Sequence, residues 1–511
     1  MTKSTTPSQT ELLQNAVLLH QQGQLLAADG LYRQILLAEP RHFDALHFSG
    51  VIAKQTGDPR RAIALIQAAL DSVGANISAH HASALCNLGA CHSELLDTEL
   101  ALQSYQRAIE LKPDYAIAYN NLGNACKNLK RYDEALTAYG QAIRLVPNYA
   151  EAFYNTGLVW HLTEQYDAAV DQFDRALGFN PGYTQAWFAR GLSLQQGGNY
   201  ELAIASYHQA IHFRVDYAEA YFNCGIVYNR LRQYELAVAS FALAIQYRPN
   251  YAYAYFYTGN AQRHLGQHQA AIVAYQRAQE LGADPESVNF ALASLGAGEI
   301  PASPPEHYIR ELFDQYAGHF DDHLTKVLRY AIPEQIAQTV GPCLAHDQLD
   351  SLDLGCGTGL CAGWLRSCSR TLTGVDLSQN MLNQAARLHL YDHLICAEIT
   401  AFLGTVERQA DLIIAADVLV YLGDLQPVFQ GVEQALRSGG LFCFSVEDSG
   451  YSDRALDYLL QTSSRYAHSE AYLKALAAQC GFRLKSLQRQ TGRAENHANS
   501  PAIIVLLQKV S

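Results

Sequence analysis

The chain has 511 residues, 49% of them apolar, and a formal net charge of −13 at pH 7 from 36 Lys and Arg against 49 Asp and Glu. That length calls for two or three cores, and an acidic balance without a basic cluster argues against a nucleic-acid binder. No run approaches the ~18 uncharged apolar residues of a membrane span, the polar start MTKSTTPSQTE lacks an apolar core, and the 11 cysteines include no C-x-x-C pair, so a cytoplasmic protein with packed, reduced thiols, no metal and no disulfide frame is expected.

The first half is periodic. Gly89, Gly123, Gly157, Gly191, Gly225 and Gly259 recur every 34 residues. Alanine follows each glycine (Ala101, Ala135, Ala169, Ala203, Ala237, Ala271), then an aromatic (Tyr105, Tyr139, Phe173, Tyr207, Phe241, Tyr275), then alanine again (Ala108 to Ala278). Proline closes most units, at Pro113, Pro147, Pro181 and Pro249. Such a period marks an array of helical hairpins. Small residues let two helices approach, the aromatic fills the groove to the next pair, and proline stops the second helix. Two earlier units fit, around Ala16, Ala28, Tyr32 and Pro40 and around Gly50, Ala62 and Ala69, before an insertion at 74–78; about eight units then occupy 9–285.

This pattern resembles the tetratricopeptide repeat, and the resemblance implies an all-α superhelix with a long concave face. Asn87, Asn121, Asn155 and Asn223 stand two positions before the repeat glycine, on the helix that lines the inner surface in that family. Similar asparagine ladders occur in the repeats of O-linked N-acetylglucosamine transferase. Amides so placed can pair with the backbone of an extended peptide, which makes a protein or peptide in the concave face the expected partner; the other reading is that they bond neighbouring turns or face water. Tyr119, Phe153, Trp187, Tyr221 and Tyr255 read as packing residues.

Residues 286–305, with Pro301, Pro304 and Pro305, read as a linker. A helical segment follows over 306–340, in which Tyr308, Leu312, Tyr316, Phe320 and Leu324 form a stripe at four-residue spacing, as a lid over an apolar site would need. His319 and His323 have a spacing that two metal ligands could use, but no third ligand accompanies them.

Beyond Gln348, apolar runs at 349–354, 371–376, 393–398, 411–416, 440–447, 482–490 and 501–509 read as strands, the first five each followed by a helix and the last two forming an antiparallel edge hairpin. The expected fold is α/β, Rossmann-like, with ligands at the carboxyl ends of the strands. At the end of the first strand stands "LDLGCGTGL", with Gly355, Gly357 and Gly359 as G-x-G-x-G rather than the dinucleotide G-x-G-x-x-G. Asp353, two positions before the first glycine, sits badly beside a pyrophosphate and suits a ligand carrying positive charge. Asp376 ends the second strand, placed to accept from two ribose hydroxyls, and Ser378 caps the next helix, with Met381 and Leu382 available to pack on an adenine.

Together with "CAEITAFL" and "ADLIIAADVLVYL", these residues resemble the seven-stranded class I S-adenosylmethionine-dependent methyltransferases over 306–511. "RELFDQYAGHFDDHL", "FSVED" and "RYAHSEAYLKALAAQCGF" look like the corresponding half of bacterial tetratricopeptide-methyltransferase proteins. The resemblance implies S-adenosylmethionine as cofactor, held by Gly355, Gly357, Gly359, Asp353, Asp376, Leu377, Met381, Glu398 and Asp417. It implies that Asp417 faces the methyl and the acceptor, with Tyr421 beside it as the second catalytic candidate. Tyr308, Tyr316 and His323 become substrate or lid residues, and Glu447, His468 and His497 further candidates. The Asp/Asn-Pro-Pro-Tyr of amino-methyltransferases and the Pro-Cys of cytosine methyltransferases are both missing after the fourth strand. The expected function is a methyltransferase whose repeats recruit a protein or peptide; the alternatives are an assembly scaffold whose methyltransferase domain is catalytically silent, and a nicotinamide oxidoreductase.

Overall fold

A computed structural model describes residues 8–316, 331–344, 348–450, 457–495 and 498–510. The chain forms two compact units, Met1–Arg248 and Pro249–Ser511. In the first, helical hairpins follow one another from Gln9–Gln21 with Leu25–Ala38 to Ala218–Arg230 with Tyr234–Tyr247. The periodic glycine is where the two helices of one hairpin meet. A methyl group built on Gly123 would lie 2.5 Å from the Tyr139 ring, and one on Gly157 2.6 Å from the Phe173 ring. The aromatic therefore fills the cleft inside its own hairpin rather than the groove to the next pair, because only a glycine leaves room for a ring at that distance. Each such ring is buried, and buried hydroxyls find partners: Tyr139 donates to Asn124 Oδ1 at 2.8 Å and Tyr207 to Gln195 Oε1 at 2.7 Å.

The second unit opens with one more hairpin, Ala252–His264 with His268–Glu280, built on the same contact of Gly259 with Tyr275. The segment 286–305 is not a bare linker, since Pro285–Ser294 is a helix. Asp284 accepts from Ser287 N–H at 2.9 Å and Pro285 occupies the first turn, a helix start that the glycines and prolines downstream obscure. The expected lid over 306–340 divides. Glu306–Tyr316 is a helix, whereas Ile332–Val340 belongs to the core, its Ile332, Ile336 and Val340 packing on Leu372, Leu412 and Ile504 of the sheet.

Among the described residues the sheet has nine strands: β1 (Leu349–Leu354), β2 (Ser369–Asp376), β3 (His393–Cys396), β4 (Ala410–Ala415), β5 (Leu436–Asp448), β6 (Tyr458–Leu460), β7 (Tyr466–His468), β8 (Phe482–Glu495) and β9 (Ala498–Lys509). β3, β2, β1, β4 and β5 are parallel neighbours in that order, and β9 joins β5 antiparallel with β8 outside it. Successive strand residues face opposite layers. Ile413 meets Phe402 and Phe429 on one side, and Leu412 and Ile414 meet Ile336 and Leu365 on the other. Strand order reverses between β1 and β4, which opens a crevice at their carboxyl ends.

β6 and β7 are absent from the sequence reading because three-residue strands show no periodicity. Their position matters. β4 pairs with β5 only as far as Phe444, while β9 covers the opposite edge of β5 through Glu447. β7 pairs with Glu447 and Asp448, so it takes the edge that β4 leaves, directly beyond the end of β4. The helix expected after the fifth strand, Glu470–Gln479, follows only after this hairpin. Among the described residues no helix is long and apolar enough to cross a membrane.

Two glycines separate close packing from helix propensity. Gly191→Ala puts a methyl 2.5 Å from the Tyr207 ring and should destabilise by about 1–3 kcal/mol. Gly140→Ala, on an exposed helix face with nothing within 4 Å of the new methyl, should stabilise by roughly 0.5–1 kcal/mol. Urea unfolding of both variants checks the pair, and equal effects would refute the packing account.

Candidate active site

The loop after β1 runs through three left-handed glycines, Gly355 (φ +66°), Gly357 (φ +54°) and Gly359 (φ +94°), a conformation that other residues adopt only with strain. Space is equally tight, since a methyl on Gly355 would lie 2.6 Å from Val418 Cβ and one on Gly359 2.7 Å from Leu388 Cδ1. Four of the loop's N–H groups are turned inward. Gly355 and Cys356 both donate to Val375 O (2.8 and 3.0 Å), Gly359 to Cys356 O (2.9 Å), and Gly357 to Asp376 Oδ2 (2.8 Å). A pyrophosphate cradle needs such groups free, so these four amides are not available to that ligand. Asp376 also accepts from Ser378 N–H at 2.9 Å through Oδ1, which fixes its carboxylate between the loop and the next helix.

Asp353 lies at 1% exposure beneath the loop and accepts from Tyr391 O–H at 2.7 Å. Burial pushes its carboxyl up to about 7; the Tyr391 bond pulls it down and the Asp376 charge pushes it further up. Tyr391 escaped the sequence reading, being 38 residues from its partner, but its ring lies across Gly374 of β2, where a methyl would sit 2.8 Å from Cε1. Met381 and Leu382 are buried at 1% and 3% exposure, so only Leu377 of the apolar candidates presents surface. Glu398 caps the helix Ile399–Leu403, accepting from Ala401 N–H at 2.8 Å and from Thr400 through Oε2.

Beyond β4 the chain turns at Asp417, a non-glycine residue with φ +55°, its N–H bonded to Ser445 Oγ at 2.8 Å. Such backbone strain persists where surroundings impose it, and the surroundings include Arg465 of the β6–β7 turn. That side chain is 5% exposed, donates to Asp417 Oδ1, lies with Nε 2.7 Å from Glu447 Oε1, and holds its Cζ 5.3 Å from the centre of the Tyr421 ring. Burial opposes its charge, but Asp417, Tyr421 and Glu447 outweigh burial and raise its pKa. Among the described residues neither Arg465 Nε, for all its nearness to Glu447, nor Nη1 makes a hydrogen bond, and a buried donor so placed costs about 1–3 kcal/mol. Nothing in the sequence marks this arginine, because its pairing with Asp417 depends on β7 lying beyond β4. His468, by contrast, is no base candidate: it is fully buried, burial lowers it to about 4, and its Nε2 bonds Gly423 O at 3.1 Å.

Of the lid residues, Tyr308 turns elsewhere, packing on Phe290 with ring centres 5.3 Å apart in a cluster with Leu460 and Tyr466. Phe313 of the same helix meets Tyr421 edge-on at 5.2 Å. The side chain of Tyr316 and all of His319, His323 and His497 lie outside the described residues. The asparagine ladder bonds within the array. Asn87 contacts His47 Nε2 (3.0 Å), Asn121 donates to Cys86 Sγ (3.5 Å), Asn155 to Asn120 Oδ1 (2.9 Å) and Asn223 to Glu219 O (2.8 Å).

Residues 352–444 match a family model described as a methyltransferase domain. Models of the tetratricopeptide repeat match 13–77, 97–130, 123–164, 194–232 and 230–287. A ubiquinone biosynthesis O-methyltransferase of Hydrogenovibrio crunogenus is 29% identical over 152 residues, 26% of this chain and 62% of that protein. A malonyl-[acyl-carrier protein] O-methyltransferase of Enterobacter lignolyticus is 31% identical over 143 residues, 27% of this chain and 56% of that protein. The chain thus spans less than two thirds of the length of these relatives. A solved tetratricopeptide repeat protein from Parabacteroides merdae aligns with a TM-score of 0.38 at 20% identity, covering 48% of this chain and 95% of that one.

The raised Asp353 carboxyl makes stability depend on pH. Between its unfolded value near 3.8 and its folded value of about 7 the native state binds the extra proton, so stability is full below about 4 and falls as pH rises toward 7, by at most ~1.4 kcal/mol per unit. Asp353→Asn should remove this slope, and Tyr391→Phe, which deletes the bond that pulls the carboxyl down, should extend it to higher pH. Urea unfolding from pH 4 to 8 measures it, and an unchanged slope in Asp353→Asn would be the contrary result.

Proposed function

We propose that this chain, which joins tetratricopeptide repeats to a methyltransferase domain whose cofactor is S-adenosylmethionine, transfers a methyl group to an oxygen acceptor, and that its repeats recruit a protein or peptide carrying or accompanying that acceptor. The observation that carries the reading is the closed loop after β1. Its left-handed glycines fold it against the strand ends, and the N–H groups of Gly355, Cys356, Gly357 and Gly359 are already bonded, Gly357 to Asp376 at 2.8 Å. A neutral or cationic nucleoside suits that surface better than a pyrophosphate.

S-adenosylmethionine, when bound, supplies a methyl group already activated on a sulfonium. The residues present fit this cofactor: the Asp376 carboxylate beside the glycine loop favours positive charge, and the partly exposed Leu377 next to it offers apolar surface. Asp376 would hold the ribose diol, Leu377 would meet the adenine face and Glu398 its amine, with Met381 supporting from below. Asp353 would act on the methionine ammonium through backbone or water, since its carboxylate is buried. Asp417 and Tyr421, following β4, would face the acceptor. Orientation contributes about 7–11 kcal/mol to such a reaction, more than the ~10²–10⁴-fold of a general base. Residues that hold the acceptor therefore matter more than any one base. Oxygen as the acceptor atom is supported by the names of the two relatives, both O-methyltransferases. Recruitment is supported by the repeats, whose stacking creates extended binding surfaces.

Calorimetric titration of S-adenosylmethionine into the full chain tests the core of this reading. Binding should be saturable and weakened at least about tenfold, ~1.4 kcal/mol, by Asp376→Ala. Absence of binding by the natural chain, or equal binding by the variant, would refute it.

A further inference from the structure

Asp353, the penultimate residue of β1, is a buried acid beneath the glycine loop, and one side chain from another element attends to it. Tyr391 stands in the short connection between the helix Gln379–Ala386 and β3. Three contacts fix its ring. Its O–H donates to Asp353 Oδ2 at 2.7 Å. A methyl built on Gly374 of β2 would lie 2.8 Å from Cε1, and one on Gly359, the last glycine of the loop, 3.2 Å from Cε2. The ring thus fills space that two glycines leave, and its hydroxyl reaches the acid at the end of the neighbouring strand. The connection itself is pinned. Asp392 accepts through Oδ2 from Leu372 N–H at 2.7 Å and from Arg366 Nη1 at 2.8 Å, and its own N–H bonds Leu372 O at 2.9 Å. Leu388 leans on the same loop, its Cδ1 2.7 Å from a methyl built on Gly359.

We infer that Tyr391 is a positioning residue for the cofactor, acting on the methionine ammonium through Asp353 and without touching the ligand. This rests on the reading of the loop after β1 as the S-adenosylmethionine site. Burial, then the Asp353 charge, push the Tyr391 phenol far up, so it keeps its proton and serves Asp353 as a donor. A donor to a carboxylate favours the ionised form, which burial disfavours. At 1% exposure Asp353 meets little water, so the Tyr391 bond is what supports its charge. Other titratable groups facing it give no such support. Asp376 of β2 repels its charge, and the Cys356 and Cys361 thiols, which burial pushes well up, stay neutral. A charged Asp353 attracts an ammonium bound at the loop, and a protonated one does not. A ligand that carries the methionine ammonium therefore feels the Tyr391 hydroxyl, whereas the same nucleoside without its amino-acid end does not.

The experiment titrates the full chain by calorimetry at about pH 7.5, where an α-ammonium is largely retained. Two ligands are compared: S-adenosylhomocysteine, which carries the ammonium, and methylthioadenosine, which lacks the amino-acid end. Tyr391→Phe keeps the ring and loses the donor. It should weaken S-adenosylhomocysteine about threefold or more, the fall in ionised fraction that follows when a carboxyl near 7 rises by one pH unit, and leave methylthioadenosine unchanged. Asp353→Asn should weaken S-adenosylhomocysteine at least as much. Adding Tyr391→Phe to Asp353→Asn should weaken it no further, because no charge remains to be favoured. Equal losses for the two ligands, additive losses in the double variant, or no loss in Tyr391→Phe would overturn the inference. Binding of S-adenosylhomocysteine by the natural chain is read first: its absence overturns the broader methyltransferase reading and this one with it, whereas binding that ignores Tyr391→Phe overturns this one alone.

Discussion

The carboxylate of Asp376 organises the crevice. It ends β2, and its two oxygens bind the Gly357 N–H at 2.8 Å and the Ser378 N–H at 2.9 Å, so one side chain sets both the glycine loop and the start of the next helix. The amides of Gly355, Cys356 and Gly359 close on Val375 and Cys356, so these three and that of Gly357 are not offered as the amide nest that a dinucleotide phosphate requires. The G-x-G-x-G spacing is the sequence trace of that closure. Three left-handed glycines fold the loop back on the strand ends, where a longer spacing would let it open onto a helix N-terminus.

A second constraint is length. β5 outruns β4, and the edge so exposed is taken by β7. A short hairpin placed there necessarily hangs over the end of β4, which is how Arg465 comes to share Asp417 and Glu447. The cluster in turn explains why Asp417 can hold a left-handed backbone without being glycine: its carboxylate and its N–H both have partners that a relaxed conformation would lose.

Legibility in the sequence followed the distance over which the physics acts. The repeat period was visible because each glycine and its ring lie 16 residues apart in one hairpin, as Gly123 and Tyr139 do, and the same local rule repeats. The loop and Asp376 were visible because a strand, a turn and a carboxylate follow in fixed order. Arg465 and Tyr391 were not, since each acquires its role from a residue 48 or 38 positions away that only sheet order brings near. What the segment 306–340 packs against was illegible for a related reason. An apolar stripe at four-residue spacing reports that a helix face is covered, not by what; Tyr308 packs on Phe290 of the helix Pro285–Ser294, and further along the segment Ile332, Ile336 and Val340 pack in the sheet's core.

The same reasoning bears on how the repeats and the chemistry are joined. An asparagine ladder reads a peptide only if its amides point outward unengaged, and here Asn155 bonds Asn120, itself bonded to Glu151, while Asn223 bonds its own helix at Glu219 O. These amides stiffen the array first, and a partner that used them would have to compete with bonds already made. The last hairpin has no such burden. Its Arg263 reaches the turn that carries Arg465, and the segment behind it holds Tyr466 and Gly423 from outside. Inside the second unit, the hairpin Ala252–Glu280 is bonded to the β6–β7 turn through Arg263. Part of the segment expected to be a tether is thus folded within that unit, as the helix Pro285–Ser294 and the Pro301–Ala302 stretch that bonds Tyr466, Gly423 and Asp424.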